Sequence, residues 1–123
     1  MRILLIEDNP QNRYLLTYLL ERQGYEVLQA ETGEAGLEAA LRHRPDLVLL
    51  DVQLPGMSGH EVARRMKSAE ATRKIPLMAV TSYAMKGDRE TILAAGFDHY
   101  VEKPIDPDRF LEAVRTFLSG AKR

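Results

Sequence analysis

The chain has 123 residues, a formal charge of −1 from 17 basic and 18 acidic side chains, and no cysteine. Its length supports one domain with a single core, its balanced charge argues against direct binding to nucleic acid or an anionic membrane, and the missing cysteine excludes disulfides, thiolate metal sites and a cysteine nucleophile. The apolar runs fall far short of the ~20 residues that span a bilayer, and Met1-Arg2 leads straight into a strand with no signal-peptide layout, so a soluble cytoplasmic domain over residues 1–123 is expected.

Ile3 to Ile6 is an aliphatic run of strand length that ends at once in Glu7-Asp8. Pro10 suits a first helical turn, Asp8 or Asn9 can cap it, and the helix is predicted to run to about Gln23, with Gly24 as its left-handed stop. Tyr14, Leu15, Leu16, Tyr18, Leu19 and Leu20 make an apolar sector wider than one buried face needs. Either part of this helix faces a partner or the two tyrosines lie along the surface with their hydroxyls in water. Glu26 to Ala30 reads as an edge-like strand, and Thr32 opens a second helix with Leu37, Ala40 and Leu41 on its inner side.

Pro45-Asp46 breaks that helix before Leu47-Val48-Leu49-Leu50, a run that reads as a strand buried on both faces, as inside a parallel sheet. It ends in Asp51. A lone aspartate there is usually a turn or cap residue, but the crevice beyond the carboxyl ends of parallel strands is also where chemistry sits. Turn residues Leu54-Pro55-Gly56 follow, and Ser58 with Glu61 forms a capping-box signature for a third helix to about Ser68. Leu77 to Val80 is a fourth strand that stops at Thr81-Ser82. A fourth helix is predicted over roughly Lys86 to Ala95 with Gly96 as its stop, and His99-Tyr100-Val101 is a short last strand followed by Glu102, Lys103 and Pro104. Asp106 caps and Pro107 starts a fifth helix that ends near Gly120.

Five β-then-α units with short connections predict an α/β fold, a flavodoxin-like (βα)5 doubly wound parallel sheet of order 2-1-3-4-5. That order gathers Glu7, Asp8 and Asp51 at the switch point, with Thr81 and Lys103 arriving from the adjacent strands. Three neighbouring carboxylates repel unless a proton or a cation neutralises them, and oxygen ligands alone suit a hard divalent ion such as Mg²⁺. A carboxylate can attack phosphorus to give an acyl phosphate, while a metal and a fixed ammonium, here Lys103, spread the charge on the phosphoryl oxygens. Thr81 offers a hydroxyl donor. His43, His60 and His99 are scattered over different elements and read as surface or helix-end residues rather than a metal site.

Glu7-Asp8, Asp51 with Leu54-Pro55-Gly56, Thr81-Ser82 and Lys103-Pro104 together resemble the receiver domain of two-component response regulators over essentially the whole chain. The resemblance implies that Asp51 accepts a phosphoryl group from a phosphohistidine on a sensor histidine kinase or histidine phosphotransfer protein. It implies Mg²⁺ held by Glu7, Asp8, Asp51 and the backbone carbonyl of Gln53, and a switch pair of Thr81 and Tyr100. It further implies a cis bond at Lys103-Pro104 and a protein that catalyses its own phosphorylation and slow dephosphorylation rather than a separate reaction. The stretch from Ala79 to Asp88 is similar to stand-alone regulators of cell polarity and division and to receivers fused to hybrid kinases. Ser58 stands where the family often has Asp, and Gln53 and Tyr83 occupy variable positions that tune hydrolysis.

Rival readings are weaker. A flavodoxin-type loop would need phosphate-cradling donors where Glu7-Asp8 stands, and a phosphoaspartate hydrolase would want an acid at Gln53. An interaction module that works without phosphorylation has no need of the acid, hydroxyl and ammonium set. Output through Met85, Lys86, Arg89, Tyr100 and Arg109 to a downstream protein partner is expected, from a monomer for which dimerisation on activation stays open. Met1 abuts the first strand and no further domain follows Gly120-Ala121-Lys122-Arg123, the layout of a stand-alone receiver or of one cut from a longer regulator.

Overall fold

The aliphatic runs all form parallel strands. The computed structural model describes residues 1–82 and 86–120, leaving aside the side chains of residues 86–89 and of residue 120. The strands are β1 (Arg2–Ile6), β2 (Glu26–Ala30), β3 (Leu47–Asp51), β4 (Leu77–Thr81) and β5 (His99–Glu102). Between and after them run α1 (Pro10–Glu21), α2 (Gly33–His43), α3 (Gly59–Ser68), α4 (Lys86–Ala94) and α5 (Pro107–Gly120). The sheet order is β2-β1-β3-β4-β5, as expected for a flavodoxin-like doubly wound fold.

Side-chain alternation along each strand splits the core into two layers. Leu4, Ile6, Val48, Leu50, Leu77 and Ala79 pack with Ala40 of α2, Val62 and Met66 of α3 and Ile92 of α4. Ile3, Leu5, Leu47, Leu49 and Met78 pack on the other face with Leu16 and Leu20 of α1 and Phe110 and Val114 of α5. Both faces are therefore covered, which is why β1, β3 and β4 read as unbroken apolar runs and not as alternating ones.

Local signals set the helix ends. Asn9, not Asp8, caps α1, its Oδ1 accepting from the Gln11 and Asn12 N–H groups at 2.9 and 3.0 Å. Gly24, at φ +89°, follows the end of α1 as the left-handed stop. Arg44, at φ +45°, ends α2 in the left-handed region with its N–H donating to the Ala40 carbonyl, and the following Pro45 keeps the helix from continuing. Ser58 Oγ accepts from Glu61 N–H at 3.3 Å, but the Glu61 carboxylate turns to Arg64 and Arg65 and does not complete the capping box. Asp106 caps α5 through the Asp108 and Arg109 N–H groups.

One assignment of the inner face of α2 is corrected. Leu41 is half exposed, and the buried positions of α2 are Gly33, Gly36 and Ala40, with Gly33 against Met57 and Val62 and Gly36 against Ile6 of β1. The helix lies so close to β1 that a Cβ on Gly36 would stand 2.3 Å from Ile6 Cδ1, so its contact stripe is set by its small residues and Leu41 falls beside it.

Gly59 has the same constraint nearer the carboxyl end of β3. A Cβ there would lie 2.5 Å from Val52 Cα and 2.7 Å from the Asp51 carbonyl oxygen, both backbone atoms. Alanine is intrinsically favoured in a helix by about 1 kcal/mol over glycine, yet overpacking typically costs about 1–3 kcal/mol. Gly59→Ala is therefore expected to lower the thermal midpoint. An unchanged or raised midpoint would show that the loop after Asp51 yields freely.

Candidate functional site

Strand register sets which residues meet. Ile6 pairs with Leu50, so Glu7 and Asp51 leave β1 and β3 at the same level. Asp51 pairs with Val80, and Thr81 with Glu102, so Thr81 and Lys103 follow one step beyond. The Lys103 N–H donates to the Thr81 carbonyl at 2.8 Å, tying the two strand ends together. The Lys103-Pro104 peptide is cis.

Glu7, Asp51 and Thr81 are three of the four buried polar or charged side chains among the described residues, and they converge on one spot. The fourth, Thr72, donates to the Met66 carbonyl at the end of α3 and is a helix-end feature. Oxygen atoms of Glu7, Asp8 and Asp51 lie within 4.8 Å of one another. Lys103 Nζ donates to Asp51 Oδ2 at 3.1 Å and stands 3.5 Å from Glu7 Oε1. The Gln53 N–H donates to Asp51 Oδ1 at 2.9 Å, and the Asn9 N–H to Glu7 Oε2 at 3.1 Å.

One ammonium is thus paired with two of the three clustered carboxyl groups. Glu7 Oε1 is buried without a hydrogen-bond partner, since Lys103 approaches it only at ion-pair distance. Burial first, and contact with the Asp51 carboxyl second, push Glu7 up to about 7 from 4.5, against the Asn9 N–H and Lys103, which act the other way. A proton on Oε1 would give it a donor role toward Asp51, and a divalent cation would satisfy it as a ligand instead. The all-oxygen donor set, with an orphaned carboxylate oxygen in it, fits a hard cation of the Mg²⁺ type.

The structure brings Glu7, Asp8, Asp51, Gln53 and Lys103 together at the carboxyl edge of the sheet, with buried Thr81 at the end of the neighbouring strand. Tyr100 lies farther along β5, half-buried, its ring 5.8 Å from that of His99. His99 itself is not a simple surface residue. It is half-buried and stacks on Phe117 at 5.1 Å, and burial holds its pKa below the usual range. His43 is exposed on the end of α2, and His60 meets the edge of Phe97. Met85 and Tyr83 lie outside the described residues, as do the side chains of Lys86 and Arg89.

Arg13 was not legible as a site residue, because a single arginine inside a helix carries no positional signal. Its Nη1 donates to the Glu7 carbonyl at 3.0 Å, directly behind the acidic pair.

Comparison with known proteins gives a consistent result. The profile of the response regulator receiver domain matches residues 3–115. The chain is 43% identical over 119 residues to the polar-differentiation response regulator DivK of Brucella anthropi, covering 97% of both proteins. Among solved structures it is similar to the receiver domain of a sensor histidine kinase from Pseudomonas aeruginosa, crystallised with a magnesium ion coordinated in its active-site cleft (TM-score 0.90, 33% identity, 96% of this chain and 97% of that one). It is equally similar in fold to a CheY-like receiver domain protein from Methanospirillum hungatei (TM-score 0.90, 30% identity, 98% and 95% coverage).

The Glu7 carboxyl makes the metal-free fold pH-dependent. Its folded pKa lies above its unfolded one, so below about pH 4.5 it is protonated in both states and has no effect, while above about 7 the folded state carries a disfavoured charge. Stability contributed by this group is thus lost as pH rises from 4.5 to 7. Without divalent cation, Glu7→Gln should melt higher than the parent chain at pH 7.5, by an amount that shrinks to nothing near pH 4.5. A pH-independent gap between the two melting curves would contradict this account.

Proposed function

The chain belongs to the receiver-domain family of two-component response regulators, and from that membership we propose that Asp51 is its phosphoacceptor. In the proposed step an Asp51 carboxylate oxygen attacks the phosphorus of a phosphohistidine. The P–N bond breaks, its electron pair returns to the donor imidazole, and an acyl phosphate forms on Asp51. The observation that carries the reading is the Lys103 ammonium held 3.1 Å from Asp51 among clustered carboxylates, a charge pattern with little structural purpose and an evident phosphoryl-transfer one.

Glu7, Asp8 and Asp51, with the Gln53 carbonyl, would hold Mg²⁺. When bound, the ion neutralises the acids and offsets charge on the phosphoryl oxygens. Lys103 would share that charge, and Thr81 would donate its hydroxyl. The same residues would make the domain catalyse its own phosphorylation and, with water, its slow dephosphorylation. It is a signalling protein and not a classical enzyme.

The phosphoryl group brings close to two negative charges to a site where Lys103 and Thr81 must reorganise to meet them. The proposed response is a population shift in Thr81 and Tyr100 that alters the face of α4, β5 and α5, Arg109 included, for a downstream protein. The phosphodonor, a sensor histidine kinase or histidine phosphotransfer protein, would dock on α1. That helix begins just after Glu7-Asp8 and exposes Tyr14, Leu15 and Tyr18, the two tyrosine rings stacked at 6.4 Å. A cytoplasmic monomer that can dimerise on activation fits this scheme. No described helix is long and apolar enough to cross a membrane.

Incubation with Mg²⁺ and acetyl phosphate, followed by intact mass measurement, is the direct test. The parent chain should gain one phosphoryl group only with Mg²⁺, and Asp51→Asn should gain none. A folded, Mg²⁺-binding chain that gains nothing would favour an interaction module that works without phosphorylation.

Amide NMR spectra of the phosphorylated protein should show shifts at Tyr100, Val101 and Arg109 as well as around Asp51. Changes confined to the pocket would rule out the proposed output face.

A further inference from the structure

Arg13 sits one turn into α1, and its guanidinium reaches back behind the end of β1. Nη1 donates to the Glu7 carbonyl at 3.0 Å and lies 3.5 Å from the Asp8 carbonyl, while Nη2 stands 3.1 Å from Glu31 Oε1 at the end of β2. The Arg13 side chain is only 16% exposed against 70% for Glu31, so the arginine is built into the structure and the glutamate is its outer anchor. The Glu7 N–H also donates to the Ala30 carbonyl at 3.0 Å, so the acidic pair is fixed to the β2 end by its own backbone as well.

The two carbonyls that Arg13 holds belong to the peptide planes on either side of Asp8. Mutual repulsion among Glu7, Asp8 and Asp51 favours turning those planes to spread the carboxylates apart. A planar guanidinium with fixed donor directions resists that rotation in a way that a single-point donor does not. We infer that Arg13 is a positioning residue for the divalent-cation site, holding the Glu7-Asp8 backbone so that the acidic oxygens stay gathered before the ion arrives. The inference rests on the reading of Glu7, Asp8 and Asp51 as Mg²⁺ ligands and adds a residue that touches neither the ion nor the phosphoryl group.

The test is an amide NMR titration of the full chain with MgCl₂, which reports affinity and fold in one spectrum. Residues that orient metal ligands typically change affinity 10–100-fold when altered, so Arg13→Met should weaken Mg²⁺ binding about tenfold. Arg13→Lys, which keeps the charge without the planar fork, should fall between Arg13→Met and the parent. Glu31→Gln should lose less than Arg13→Met, and adding it to Arg13→Met should cost nothing more. Thr72→Val serves as a stability control far from the pocket, expected to lower the thermal midpoint and leave Mg²⁺ affinity unchanged.

If Arg13→Met binds within about twofold of the parent, or if Thr72→Val weakens binding as much at equal loss of stability, the positioning role is overturned and the Mg²⁺ site stands. Should Arg13→Met fail to fold, Arg13→Lys and Glu31→Gln decide the matter, and parental affinity in both overturns the inference. A parent chain whose Glu7, Asp8 and Asp51 amides do not respond to Mg²⁺ removes the metal site itself and this inference with it.

Discussion

Like charges repel, and the carboxylates of Glu7, Asp8 and Asp51 are held within 4.8 Å of one another by a scaffold with little room to relax. Glu7 and Asp51 sit at the ends of two hydrogen-bonded strands in fixed register, with the fully buried Ile6 and Leu50 immediately behind them. Burial of Glu7 first, and its contact with the Asp51 carboxyl second, raise the Glu7 carboxyl to about 7, and Lys103 offsets only part of that rise. The metal-free domain therefore carries a charge imbalance that a cation or a proton must offset. Such an imbalance has no value to a core and considerable value to a site that binds an ion and then a phosphoryl group.

The rest of the fold serves this edge. Parallel strands with both faces covered need helices on each side, and those crossovers put every strand's carboxyl end at the same edge. Small residues mark where helices and loops come closest to that edge. Gly36 lets α2 lie on Ile6, and Gly59 lets α3 begin against the backbone of Asp51 and Val52. Arg13 and Asn9 do related work from α1, one through the carbonyls of the acidic pair and the other through an N–H to Glu7 Oε2.

From the pocket outward, the Lys103 N–H to Thr81 carbonyl bond joins the ends of β4 and β5. Tyr100 lies three residues before Lys103 on the edge strand, half-buried against the core layer that holds Leu50 and Ala79. A change at Thr81 thus has a short covalent and hydrogen-bonded route to the β5 surface, which is the physical basis of the output proposed for this face. Membership of the receiver family makes this route worth testing, and the contacts name the residues to follow.

The amino-acid sequence by itself determined the five strands and which polar and charged side chains stand at their carboxyl ends, because these are local features. An aliphatic run that stops at an acid, a hydroxyl or an ammonium is visible without knowing its neighbours, and β-then-α order leaves few topologies. What it could not decide were matters of direction and contact. Asp8 and Asn9 are equally good caps on paper, and only the folded loop assigns the cap to Asn9 and frees Asp8 to join the acidic cluster. Leu41 looks like a core residue until α2 is seen to approach β1 through Gly36, and His99 looks like a surface residue until Phe117 stacks on it. The contact between Lys103 and Asp51 spans 52 positions, and the grip of Arg13 on the Glu7 carbonyl has no sequence signature. These belong to the tertiary structure because they depend on which faces meet, and that is settled by packing across the whole sheet.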